Sequence, residues 1–249
     1  KYPACGKGRC GQVHQCERWR KPRCRRSDIG NGIARAPLNG FKRISCGESH
    51  CAIAPEIGGS VAYWTVGGQN MLRPMLGGRS AMQLASFPLV PYSNRIADAR
   101  FPLNGKIVPL TPHAEAAPHA LHGVGWERSW TVQNQTPDSL SLALTHAGDE
   151  DWPFAFCAKQ HFAIGPSWLE IGSEATNSEA FPAPLAFGHH PYFENEGATL
   201  RFDAEYIYPA SSDGLPTDKQ RITAASDFAS GCAVQHCDFD NIYAGWTGE

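Results

Sequence analysis

The chain has no uninterrupted apolar run of about 18 residues, so no part of it reads as a membrane-spanning helix. It has no charged start followed by a short apolar core, so no secretory signal is read and the cytoplasm is the expected location. No segment carries a helical apolar stripe of useful length, which sets a helical bundle aside. Internal repeats and low-complexity tracts are absent, so a solenoid or a fibrous chain is not expected. The cysteines number nine, an odd total without a repeating interval, which argues against a secreted disulfide framework.

Glycine and proline are plentiful. The 25 Gly and 19 Pro make up about 18% of 249 residues, against about 12% in ordinary chains. With 10% aromatic and 18% charged residues, this favours an all-β protein with many turns. At 42% hydrophobic content the chain can build one large domain with a real core, or two small ones.

Charge is split along the chain. Residues 1–43 hold 12 Lys and Arg against Glu17 and Asp28, while residues 44–249 hold 10 against 22 acids. The first segment also has few apolar residues and no period, so 1–43 is expected to be disordered or an extension foreign to the domain. Cys5, Cys10, His14, Cys16 and Cys24 suggest zinc, but there is no C-x2-C pair and the spacings fit no common zinc module. A basic arm for nucleic acid is equally unspecific, and no nucleic-acid partner is expected.

From Ile44 the texture is that of strands. "SHCAIAPEIGGSVAYWTVGG" reads as strand, turn, strand, turn. "PLNGKIV" places Asn-Gly between short apolar runs, a hairpin signal. "SWTVQNQTPDSLSLALTHA" gives two strands about a Thr-Pro-Asp-Ser turn, the second alternating at Leu140, Leu142 and Leu144. "FAFCAKQHFAIGPSWLEIGSEATN" gives two more about Gly-Pro, and "ATLRFDAEYIYPAS" another. The expected fold is all-β, a large antiparallel β-sandwich, with one domain over 44–249.

Four motifs put ionisable side chains in apolar or turn-rich surroundings: Arg95 in "PYSNRIADARF", His119 and His122 in "PHALHGVGW", His189 and His190 in "FGHHPYF", and Asp240 in "DFDNIYAGW". Each has an ordinary explanation. Arg95 can pair with Asp98, His122 can be a turn residue, and Asp240 a cap. Strand alternation sends His189 and His190 to opposite faces. The proline after His190 holds it extended, a direction suited to a positioned acid or base. Two histidines, an arginine and an aspartate beside Trp126, Tyr192, Phe193 and Trp246 suit a carbohydrate. Aromatic faces cover sugar C–H groups while the polar side chains satisfy hydroxyls. A metal-binding sandwich or cupin using His119, His122, His189 and His190 is the rival, but these histidines lack the H-x-H…E…H pattern.

"SNRIADARF", "LHGVGW", "HPYF" and "DNIYAGW" occur in the order found in the aldose 1-epimerases, the galactose mutarotase family. "IAPEIGGSVAYWTVGGQNMLRP" and "SSDGLPTDKQ" resemble further parts of that family, so the resemblance covers roughly residues 46–249. It implies a galactose mutarotase-like supersandwich and interconversion of the α and β anomers of a free aldose, with no cofactor and no metal. The partner implied is a monosaccharide of the galactose or glucose class. His190 corresponds to the general acid, His122 and Arg95 to groups holding the ring oxygen and nearby hydroxyls, and Asp240 to a hydroxyl-binding residue. The family's general base is a glutamate in a late strand. This chain ends at Glu249, nine residues after Asp240, with no counterpart of that strand. The resemblance therefore implies the acid half of the pair in a chain truncated at its C-terminus. Loss of a base lowers rates by roughly 10²–10⁴. A sugar-binding remnant without turnover is the alternative to an active epimerase.

Overall fold

In the computed structural model of the chain, the described residues are 40–237 and 240–246. Residues 1–39 of the basic segment, the five candidate zinc ligands among them, and Glu249 lie outside these. The described residues divide into two compact units, 40–194 and 195–246, each taken by itself. The sequence reading treats 44–249 as one stretch and contains no signal for a division after Glu194.

Residues 40–194 are built from fourteen strands. The first five are β1 (Lys42–Cys46), β2 (Ser49–Ala54), β3 (Ser60–Val66), β4 (Gln69–Asn70) and β5 (Ser86–Leu89). Then come β6 (Arg95–Ile96), β7 (Arg100–Leu103), β8 (Lys106–Pro109) and β9 (Ala120–Leu121). The last are β10 (Thr131–Gln135), β11 (Ser139–His146), β12 (Phe156–Ile164), β13 (Leu169–Asn177) and β14 (Gly188–Pro191). One sheet runs β1-β2-β3-β5-β14 with β4 beside β3, and a second runs β10-β11-β12-β13. All the pairings between these strands are antiparallel.

Alternation explains how the two sheets meet. Leu140 and Leu142 of β11 are fully buried, and the β11–β12 register sets them opposite Phe162 and Gln160. Ile44, Ile53 and Val61 of the first sheet share one core with Leu140, Leu142, Phe156 and Phe162 of the second. Each fully buried side chain of this kind is worth roughly 1.5–3 kcal/mol. The sandwich expected from the period-2 pattern is present. Asn104-Gly105 turns β7 into β8 with φ of 50° and 76°, as a tight hairpin requires. Helical structure among the described residues is limited to three-residue 3₁₀ turns. Among them no helix is long and apolar enough to cross a membrane.

Residues 195–246 hold five short strands: β15 (Thr199–Leu200), β16 (Tyr206–Tyr208), β17 (Gln220–Arg221), β18 (Cys232–Ala233) and β19 (Ile242–Ala244). β15 pairs with β18, and β16 lies between β17 and β19. Where the sequence reads one strand in "ATLRFDAEYIYPAS", two short ones form. Phe202 stacks on Phe228 at 5.0 Å, and Tyr243 stands edge-on to both.

Candidate active site

Strands β5 and β14 pair with His190 opposite Phe87 and His189 opposite Pro88. The two imidazoles therefore leave the strand on opposite faces. His190 stacks on Phe87 with ring centroids 4.8 Å apart and planes 9° from parallel, and the Tyr192 ring lies 4.8 Å away. On the other face, His189 Nδ1 is 3.2 Å from Ser86 Oγ, and burial pushes its pKa down to about 4. His189 is a neutral packing residue at ordinary pH.

The two-residue ladder of β6 and β9 sets Arg95 opposite Leu121 and Ile96 opposite Ala120. A histidine closes each end. Beyond Leu121, His122 donates its backbone N–H to Asn94 O at 2.9 Å, and its Nδ1 accepts the Asn94 backbone N–H at 3.0 Å. Before Ala120, His119 Nδ1 accepts the Asp98 backbone N–H at 3.0 Å, and His119 is almost fully buried. A backbone N–H only donates, so both Nδ1 atoms are unprotonated and the ring proton of a neutral His122 sits on Nε2. Burial, then the positive neighbours His190, Arg95 and His113, push the His122 pKa down to about 3. His122 is thus a neutral hydrogen-bond donor.

The glycine that follows it has a steric reason. Gly123 has φ of +72°, and a Cβ there would sit 2.3 Å from Val90 O. That carbonyl takes the N–H groups of Val124 and Gly125 at 3.0 and 2.9 Å, which ties the "LHGVGW" turn to the end of β5.

The His122 and His190 rings meet edge to face at 5.6 Å, with Phe87 6.2 Å from His122. Residues separated by 68 positions thus share one wall, and Arg95 is close enough for its charge to act on His122. The Arg95–Asp98 pairing considered from sequence is not what Asp98 does: it faces Arg100 at 3.5 Å. Arg95 instead turns to Asn94, whose Oδ1 accepts the Arg95 backbone N–H at 2.8 Å. Asp240 lies in residues 195–246, exposed, next to Asn241, whose Oδ1 accepts the Ala210 N–H at 2.9 Å. Trp126, expected to offer a face to a sugar, is 3% exposed and stacks beneath Phe87 at 5.3 Å. Of the four histidines of the metal reading, His122 and His190 meet, whereas His119 bonds the Asp98 N–H and His189 leaves the opposite face of β14, and among the described residues no group of three or more His, Cys, Asp or Glu that could hold a metal is found.

Three further residues belong to this wall and escape sequence reasoning. Asn94 orients both Arg95 and His122 from a left-handed conformation, φ 63°. Arg73 lies 3.7 Å over the Tyr192 ring and donates from Nη2 to Met82 O and Leu84 O at 2.9 and 2.8 Å. His113, paired with Glu127 at 3.2 Å, stands 5.1 Å from Trp126. The doublet "SN" before Arg95 is the only local signal for any of them.

A family model described as Aldose 1-epimerase matches residues 43–249. The chain is 29% identical over 181 residues to the uncharacterized Escherichia coli K12 protein YphB, covering 72% of this chain and 61% of that one. It is 28% identical over 149 residues to an aldose 1-epimerase of the same organism, covering 55% and 42%. Among solved structures, a putative aldose 1-epimerase from E. coli K12 superposes with a TM-score of 0.75 at 26% identity, over 84% of this chain and 71% of that one. The chain spans about 60% of the length of the first two curated relatives it matches.

Proposed function

The chain belongs to the aldose 1-epimerase family, and we propose that it binds a free aldohexose of the galactose or glucose class and interconverts its α and β anomers. The observation that carries this reading is the edge-to-face contact of His190 with a His122 that is held neutral. Two imidazoles at 5.6 Å would repel if both were protonated. A neutral His122 places no second positive charge beside His190, the residue given the proton in this reading.

In this reading His190 gives its proton to the ring oxygen as the C1–O5 bond breaks, while a base removes the C1 hydroxyl proton. The open aldehyde turns about C1–C2, and closure runs the same transfers backwards. Neutral His122 offers Nε2–H to a sugar oxygen. The Arg95 guanidinium donates to hydroxyls, and the family resemblance gives Asp240 the part of a hydroxyl acceptor. Phe87 and Tyr192 fix the plane of the His190 ring.

Polarimetry on freshly dissolved α-D-galactose and α-D-glucose tests the reading, with a His190→Ala variant and a protein-free blank beside the parent chain. Faster equilibration that His190→Ala abolishes supports it. Acceleration that survives in His190→Ala places the acid elsewhere. A parent that matches the blank but binds sugar in calorimetry makes the chain a sugar-binding module instead.

A further inference from the structure

Cys232 and Cys237 stand apart from the proposed sugar site and none of its chemistry uses them. Cys232 lies on β18, where it is the register partner of Leu200 on β15. A 3₁₀ turn over Val234–His236 follows, closed by the Cys237 N–H on Val234 O at 3.0 Å. That turn folds the chain back so that Cys237 Sγ lies 2.8 Å from Cys232 Sγ. Both sulfurs also lie near one carbonyl, that of Ala233, at 3.6 Å for Cys232 and 3.4 Å for Cys237. Both are partly exposed, so a small reagent can reach them. Gly231, with φ of +85°, lets the chain enter β18 from the preceding turn.

We propose that Cys232 and Cys237 are a paired thiol site that a small-molecule disulfide of the glutathione class converts to an intrachain disulfide. Cys232, once deprotonated, attacks the reagent. Its new bond to one reagent sulfur expels the other as a thiol. Cys237 then loses its proton and attacks Cys232 Sγ, the mixed disulfide breaks, and the second reagent thiol leaves. Two protein thiols are oxidised and one reagent disulfide is reduced to two thiols. Closing the bond to about 2.05 Å needs a sulfur shift of under about 1 Å. The ring so formed ends three residues before Asp240.

The test uses the full chain equilibrated with reduced and oxidised glutathione, acid-quenched, alkylated and digested with trypsin. Both cysteines, and no others, fall in the single peptide Ile222–Glu249. The expected product is that peptide lighter by two hydrogens and blind to the alkylating reagent. Its equilibrium constant should be at least about tenfold larger in the native chain than in the urea-unfolded chain, because the turn raises the effective concentration of one thiol at the other. Two alkyl groups, two separate glutathione adducts, or a cross-link to another peptide each overturn the proposal. An equal constant in urea overturns it as well, since sequence proximity alone would then explain the bond. Cys232→Ser must leave Cys237 as a glutathione adduct or a free thiol. None of these outcomes depends on sugar turnover.

Discussion

Strands β12 and β13 run nine residues each, whereas no strand in 195–246 exceeds three. In 40–194 the chain is held by register: nine consecutive pairs join β12 to β13, and one buried core spans both sheets. In 195–246 the buried apolar side chains among the described residues are Ile207 and Phe228. There the chain is held by turns that close on themselves, such as Ser211 on Leu215 O, Thr217 on Pro209 O and Thr223 on Ser226. His190 takes its direction from a ladder and His122 from a backbone N–H. Asp240 sits exposed among local turns. In the proposed reading a rigid sheet positions the acid, whose exact angle matters, while a loop carries a group that only binds.

The largest expected effect sharpens that contrast. His190→Ala should lower the catalysed rate of anomer exchange by roughly 10²–10⁴, the usual worth of a positioned acid. Asp240→Asn keeps size and hydrogen-bonding capacity, so it should cost about tenfold, mainly in KM. Equal losses in kcat for the two variants would break the contrast and give Asp240 a part in the chemistry.

Stability offers the next test. Leu142→Ala removes a fully buried side chain between the sheets and should cost about 2–5 kcal/mol of unfolding free energy, read as a lower urea midpoint. Phe228→Ala should instead open 195–246 locally, seen as faster amide exchange in β16 and β19 with the main midpoint little changed. If both variants shift one cooperative midpoint alike, the two regions unfold as one and the distinction between them fails.

The same difference governs what the amino-acid sequence reveals. Leu140, Leu142 and Leu144 alternate over a full strand, and Asn104-Gly105 carries its own turn chemistry, so those elements are legible locally. β15, β17 and β18 are two residues long, and no period can be read from two residues. In the site, the divergence of His189 and His190 follows from alternation, and Pro191 fixes the strand direction. The charge state of His122 does not follow, because it depends on an N–H from Asn94, 28 residues away, and on burial by the folded sheet. Arg73 over Tyr192 is invisible for the same reason: nothing near either residue announces the other.

Acid sensitivity should also belong to the first region. His122 and His189 have folded pKa values of about 3 and 4, below their ordinary 6.5. The unfolded chain therefore binds protons first. Their contribution is fully present above about pH 6.5 and is lost as pH falls through that value toward 4 and then 3. Between pH 7 and pH 5 each should remove about 2 kcal/mol from the urea stability. His189→Gln should flatten this slope by one histidine's share, and an unchanged slope would show that its burial does not govern its titration.

The smallest effect concerns how finely the sheet holds His190. Arg73 spans from the Met82 and Leu84 carbonyls to the Tyr192 ring, and Tyr192 in turn lies 4.8 Å from His190. Lysine keeps the charge but cannot make the planar stack and the paired hydrogen bonds together. Arg73→Lys should lower stability by about 1 kcal/mol, the combined worth of a partly exposed cation–π contact and a pair of hydrogen bonds. Turnover should fall a fewfold in kcat with KM unchanged, because Tyr192 and the His190 ring lose a support while the sugar contacts stay. A fall in stability without any fall in kcat would mean that Phe87 alone sets the His190 plane. Positioning by the first region would then end at the β5–β14 ladder and not extend outward to Arg73.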